Sequence, residues 1–175
     1  CDAKDSKTRR AAQSAMALIS KSMLGLVAPV LTYTADEILE YAPAIFKGDM
    51  ENVFDLVYEP LPVMEAPFDM AEIMAIREKF YEEVDKLRKE KVIKATLEIE
   101  LVGEIEGFGS DKDMEDWFVV SAVKSSSEGE KLASFDLGGK TFGIHRATGC
   151  KCPRCWKFVS AREEEVCARC AEVVA

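Results

Sequence analysis

Four cysteines near the end of the chain, Cys152, Cys155, Cys167 and Cys170, fall as two C-x-x-C pairs separated by eleven residues. Zinc takes four soft or borderline ligands in a tetrahedron. Each C-x-x-C turn offers two sulfurs on one side of the ion, and its backbone amides soften the thiolate charge. Two such turns close the coordination sphere, so no position is left for water and the ion is structural rather than catalytic. The rival chemistry is a pair of redox dithiols, against which the doubled pairs and the loop between them favour the metal. Cys150 offers another first ligand two residues upstream, but Cys152 keeps the C-x-x-C turn and is preferred. Cys1 reads as a free terminal thiol, and the one histidine, His145, as a hydrogen-bonded or exposed side chain rather than a ligand.

Around these pairs lie Arg154, Trp156, Lys157, Arg162 and Arg169, an aromatic among cations at positions that a bound metal would hold rigid. Single-stranded RNA suits such a surface, because unstacked bases lie on an aromatic face while cations meet phosphate. The competing role for Trp156 is apolar cover over a small metal core. The net charge of −9 hides an asymmetry: from Lys140 onward seven Lys/Arg face four Glu, whereas the residues before it hold 16 Lys/Arg and 28 Asp/Glu. Four thiolates around a divalent ion subtract two charges from the basic end, which leaves only a modest attraction for phosphate.

The 175 residues are 48% hydrophobic, enough to bury a core or several small ones. No charged-then-apolar leader opens the chain, and the apolar stretch Met23–Leu31 is too short to cross a bilayer. Six cysteines without a leader point to a reducing, cytoplasmic setting and to metal binding rather than disulfides. The chain starts at Cys1 inside a polar helix approach, which suggests a C-terminal piece of a longer parent, with a monomer as the default state.

The elements that must carry these residues follow from periodicity. Met16, Ile19, Met23, Leu26 and Val30 mark one face of a helix over Ser6–Val27, ended or bent by Pro29. Thr34-Ala35-Asp36-Glu37 predicts the start of a second helix, capped by Thr34 and stopping near Pro43. Phe46–Pro67 shows no period and reads as a connection. Ile73, Ile76, Phe80, Val84 and Leu87 predict a third helix reaching about Lys91. The period then becomes two, with Leu97, Ile99 and Leu101 on the buried side of a strand. Asp111–Asp116 predicts a short helix, Trp117–Val123 a buried strand, and Leu132–Leu137 and Thr141–His145 a hairpin about Gly138-Gly139. The fold class expected is α+β: a helical domain over 1–92, a small α/β junction unit over 93–147, and a zinc knuckle or ribbon over 148–175.

Several segments carry a family resemblance. They are Asp5-Ser6-Lys7-Thr8-Arg9-Arg10-Ala11-Ala12-Gln13, Ala28-Pro29-Val30-Leu31-Thr32-Tyr33-Thr34-Ala35-Asp36-Glu37, Arg88-Lys89-Glu90-Lys91-Val92-Ile93 with Leu97-Glu98, and Lys151-Cys152-Pro153-Arg154-Cys155-Trp156 with Cys167-Ala168-Arg169-Cys170. From end to end the chain resembles the C-terminal region of the bacterial isoleucyl-tRNA synthetases, a class I family. The helical segments are shared with the valyl and leucyl enzymes, and the cysteine tail is the more selective part. The resemblance implies a parent that activates isoleucine with ATP and magnesium and transfers it to its tRNA, while this part grips the anticodon stem and loop. The HIGH and KMSKS motifs of that chemistry do not occur in these residues, so the piece is expected to bind RNA and to catalyse nothing alone. By the same resemblance Trp156 and Arg154, with Lys157 and Arg169 nearby, are the anticodon contacts, and Arg9, Arg10 and Gln13 form a weaker second set. Lys89, Lys91 and Lys94 read as solvated, since Glu90 and Glu98 sit among them. Two alternatives remain. One is the zinc module of a formamidopyrimidine-type DNA glycosylase, whose proline nucleophile and helix-two-turn-helix are not found here. The other is a stand-alone zinc adaptor for protein partners.

Overall fold

The computed structural model describes residues 2–58, 60–63, 65, 68–104 and 110–174; Cys1, expected as a free thiol, lies outside them. The chain divides into two compact units, residues 1–64 and 65–175. No described helix is long and apolar enough to cross a membrane.

In the first unit α1 (Lys7–Val27) starts at Ser6, whose hydroxyl accepts the Arg9 amide at 3.1 Å. The expected apolar stripe is not the side it buries, because Met16, Ile19, Met23 and Leu26 stay exposed. Leu24 is buried instead, packing with Ala28 against Ala35 and Leu39 of α2 (Thr32–Glu40) and against Val53. The second helix also begins earlier than predicted. Thr34 lies inside it, while the Thr32 hydroxyl donates back to the Ala28 carbonyl at 2.9 Å. Asp36 works across the unit, its carboxylate accepting the Val53 amide at 2.9 Å. The stretch read as a plain connection holds α3 (Ala44–Lys47) and a 3-10 turn, Val53–Asp55, closed by reciprocal capping between Asn52 and Asp55.

The second unit is built on α4 (Met70–Lys89). Asp69 caps it, and Ile73, Ile76, Phe80, Val84 and Leu87 are buried along one face, as the period demands. Those side chains share one core with a four-stranded sheet. The compact units therefore part near residue 64, a different division from the boundary at 92 expected from the change of period.

Strand β1 (Ile99–Val102) lies between β2 (Ala122–Lys124), which is parallel to it, and β4 (Lys140–Arg146), which is antiparallel; β3 (Lys131–Leu137) pairs with β4 at the edge. The parallel pair is connected through α5 (Asp111–Phe118). Leu101, Val123, Phe135, Phe142 and Ile144 join Met114, Phe118 and the α4 residues in the core. Gly138 and Gly139 have φ of 57° and 79°, the left-handed pair that a two-residue hairpin requires.

Two strand predictions need correcting. Thr96–Glu98 is a 3-10 turn, and the strand begins at Ile99. Trp117–Val123 is not a strand: its first two residues finish α5, Val119 reverses the chain at φ 56°, and only Ala122 and Val123 enter β2. An apolar run without alternation fits the buried end of a helix as well as a strand. Glu100, expected on a solvated face, is 2% exposed and bonded to Lys124 Nζ at 2.9 Å and Ser127 Oγ at 2.8 Å. Burial opposes its charge, yet the bonds from Lys124, Ser127 and Thr148 outweigh it and hold the carboxyl below the usual range. Its stabilising contribution is therefore present above the ordinary carboxylate range and lost as pH falls through the lowered native value.

Candidate metal centre

The cysteines are positioned by a hairpin and a helix turn. β5 (Cys150–Lys151) and β6 (Phe158–Ser160) pair antiparallel. At Gly149 a Cβ would come within 2.5 Å of the Phe158 carbonyl oxygen, so the close approach of the strands needs glycine there. Between the strands the Trp156 amide donates to the Cys152 carbonyl and the Cys152 amide to the Lys157 carbonyl, both at 2.9 Å. Trp156 takes φ 66°, the left-handed conformation that turns the chain out of the knuckle. Cys167 precedes α6 (Ala168–Val174) and Cys170 follows one turn later, with the Ala171 amide donating to the Cys167 carbonyl at 2.9 Å.

The sulfurs of Cys152, Cys155, Cys167 and Cys170 all lie within 4.8 Å of one another, and those of Cys155 and Cys167 are 3.8 Å apart. A metal at about 2.3 Å from each of four sulfurs makes a tetrahedron with edges of roughly 3.8 Å. The four residues can thus hold one metal ion, all of it coordinated by protein. Cys150 stands outside the group, half-buried in β5.

The electrostatics fit a cation as well. Burial opposes a thiolate at Cys152, but the amides of Cys155, Cys167 and Arg154 outweigh it and bring the thiol down to about 5. At Cys170 burial again opposes the thiolate, but hydrogen bonds from Arg154, whose Nη1 sits 3.4 Å from the sulfur, and from the Cys167 and Cys155 thiols together outweigh it and lower the thiol. Burial and the neighbouring sulfurs push Cys167 up to about 12. Ionising all four sulfurs together requires a positive ion among them.

The side chains expected to meet RNA have different surroundings. Trp156 is 61% exposed beside the cluster. Arg154 reaches inward to Cys170, and Arg169 is half-buried on α6. Lys157 departs most from the expectation: its side chain is 14% exposed and its ammonium lies 2.7 Å from Glu115 and 3.6 Å from Asp116, which ties the hairpin to α5. Arg9 and Arg10 are exposed on α1, in the other compact unit, with Arg9 Nη1 donating to the Asp2 carbonyl at 3.3 Å. His145 bonds through Nδ1 to the Gly129 carbonyl at 2.9 Å and is no ligand of the cluster.

Sequence reasoning missed Ser121. Fully buried, it donates its hydroxyl to the Leu97 carbonyl and accepts the Phe158 amide at 2.6 Å, so one side chain joins the sheet to the metal hairpin. The available signal was a serine inside the apolar run Trp117–Val123. Ser121→Ala leaves the part-buried Phe158 amide and Leu97 carbonyl without that partner. It is expected to cost about 1–3 kcal/mol in urea unfolding, with the metal content unchanged.

No family model matches the chain. It is 65% identical over 176 residues to the isoleucine-tRNA ligase of Sulfurovum sp. (strain NBC37-1). It is 51% identical to that of Wolinella succinogenes and 47% identical to that of Campylobacter concisus. Each match covers 99% of this chain and 19% of the relative, so the chain spans about a fifth of the length of the curated relatives it matches.

Proposed function

The chain is a homologue, over nearly its whole length, of a C-terminal part of isoleucine-tRNA ligases, and from that premise we propose that it is the zinc-stabilised, tRNA-binding part of such an enzyme. In this reading the longer enzyme attaches isoleucine to its tRNA with ATP and magnesium elsewhere in its chain. The present part recognises the anticodon stem and loop and performs no chemistry of its own. The ion is zinc, held by Cys152, Cys155, Cys167 and Cys170, because four thiolates without an oxygen ligand suit that metal. It works in the cytoplasm, where thiols stay reduced, as a monomer.

One observation carries the RNA reading: Trp156, a large aromatic side chain, is 61% exposed in a left-handed turn directly after Cys155 of the sulfur cluster. Cover for the metal core does not require that exposure, since Cys152 and Cys170 are fully buried while Trp156 remains in solvent. A rigidly mounted indole is a stacking platform for an unpaired base. Arg154, its guanidinium 3.4 Å from the Cys170 sulfur, and Arg169 on α6 add cations to the same segment, and Lys157 is engaged with Glu115 and serves the hairpin.

The test is titration of the zinc-loaded chain with an isoleucine-specific anticodon stem-loop. Trp156→Ala is expected to weaken binding by about 1–3 kcal/mol, the range for one stacked base. Undiminished affinity in a variant that still holds its zinc would reduce Trp156 to structural cover.

A further inference from the structure

We propose that an open cationic cleft at the end of α4 is a second seat for RNA, in which Arg88, Lys91 and Lys94 take phosphates of the sugar-phosphate backbone. The proposal rests on the tRNA-binding reading and adds to it a site away from the metal knuckle.

The cleft, of about 460 Å³, is lined by Arg88, Lys91, Ile93 and Lys94: three cations, one buried isoleucine and no carboxylate. That composition stands out in a chain with a net charge of −9. The solvated reading of these lysines relied on Glu90 and Glu98 among them. Glu98 is used otherwise, its Oε2 accepting the backbone amide of Lys94 at 3.2 Å, and Glu90 does not line the cleft. Arg88 has a long pair with Asp85, at 3.6 Å, between two exposed side chains. Among the described residues neither Lys91 nor Lys94 forms an ion pair.

Helix-end electrostatics do not account for the cluster. Lys86, Arg88 and Lys89 already occupy the last turn, where cations favour the helix dipole, and Lys91 and Lys94 lie beyond it. The backbone there is unusual. Lys91 has φ 60° and the Val92 amide donates to the Leu87 carbonyl at 2.9 Å, the ending in which glycine normally fills the left-handed position. A lysine at that place is conformationally disfavoured, and what it adds over glycine is a charged stem beside the cleft. Arg146 fixes the following segment, its Nη2 donating to the Val92 carbonyl at 3.3 Å. Cations on flexible stems meet phosphate as point charges, and in an acidic molecule such a cleft is where a polyanion finds local attraction.

The experiment compares the zinc-loaded chain with a variant carrying Arg88→Gln, Lys91→Gly and Lys94→Gln, each titrated with the anticodon stem-loop between about 50 and 200 mM KCl. Each phosphate contact contributes roughly 0.7–0.9 to the slope of log affinity against log salt, so the variant's slope should flatten by about 2. Its affinity near 0.1 M salt should fall roughly tenfold. Lys91→Gly alone should melt no lower than the parent, which separates lost binding from lost folding. A parent that binds RNA and a variant with the same slope and affinity would overturn this proposal alone. A parent that binds no RNA would overturn the tRNA-binding reading and this one together. Competition by polyglutamate as strong as by RNA at equal charge would overturn it in favour of an acidic protein segment.

Discussion

Cys155→Ser is expected to release the metal and unfold the chain from about residue 148 onward, while the rest of the second unit stays folded. The reason lies in what that region buries. Its cluster consists of Cys152, Cys167 and Cys170, with Cys155 and Val166 packed against them. Among the described residues Val166 is the one aliphatic side chain packed on the sulfurs, so most of the region's folding free energy must come from metal coordination. Structural zinc in small knuckles supplies about 10–16 kcal/mol of apparent binding energy, far more than one hydrogen bond such as that of Ser121 to Phe158 can replace. A serine hydroxyl is a poor zinc ligand and does not ionise near neutrality, so three thiolates and a hydroxyl do not rebuild the site. Elemental analysis should find one zinc per native chain and a large loss in the variant, and limited proteolysis should cut the variant between β6 and α6. Cys150→Ser should keep the zinc, because Cys150 lies outside the sulfur cluster. Retention of a full zinc complement by Cys155→Ser would mean that the four sulfurs are not the ligand set.

The cysteines were legible in the sequence because their chemistry is local: a C-x-x-C turn fixes two sulfurs by its own backbone, and only the meeting of the two turns depends on the fold. The α4 stripe was equally legible, since five apolar residues at helical spacing have one way to be buried together. The α1 stripe had the same signal, yet Leu24 is buried and Met16, Ile19 and Met23 are exposed. Periodicity identifies a helix and its apolar side without saying what lies against that side. Polar residues were the hardest to read. Glu100 and Ser121 are buried because partners far along the chain satisfy them, Lys124 and Ser127 for one, Leu97 and Phe158 for the other. Lys157 is placed among the RNA contacts by the resemblance, as a cation next to Trp156 in the sequence. Its ion pair spans 42 residues, from a helix that the sequence placed but could not orient.

Phe80→Ala should have the second-largest effect, a loss of about 3–5 kcal/mol, because a deleted buried ring leaves a cavity as well as a lost transfer term. Phe80 is fully buried at the middle of α4, and its ring lies nearly perpendicular to those of Tyr81 and Phe118 at centroid distances of 5.2 and 5.3 Å. Phe118 ends α5, the helix whose Glu115 holds Lys157 of the metal hairpin. Collapse into the cavity would therefore move the element on which the knuckle rests. The variant should lose stability in the sheet-bearing unit, measured as a lower urea midpoint, and its zinc should become more accessible to a chelator. Phe80→Leu, which refills most of the volume, should recover more than half of the loss. The first unit has its own core, built from Leu24, Ala35, Leu39 and Val53, so its own transition should keep its midpoint. A Phe80→Ala chain with an unchanged midpoint would show that α4 does not organise the core, and that the division near residue 64 does not describe how the chain folds.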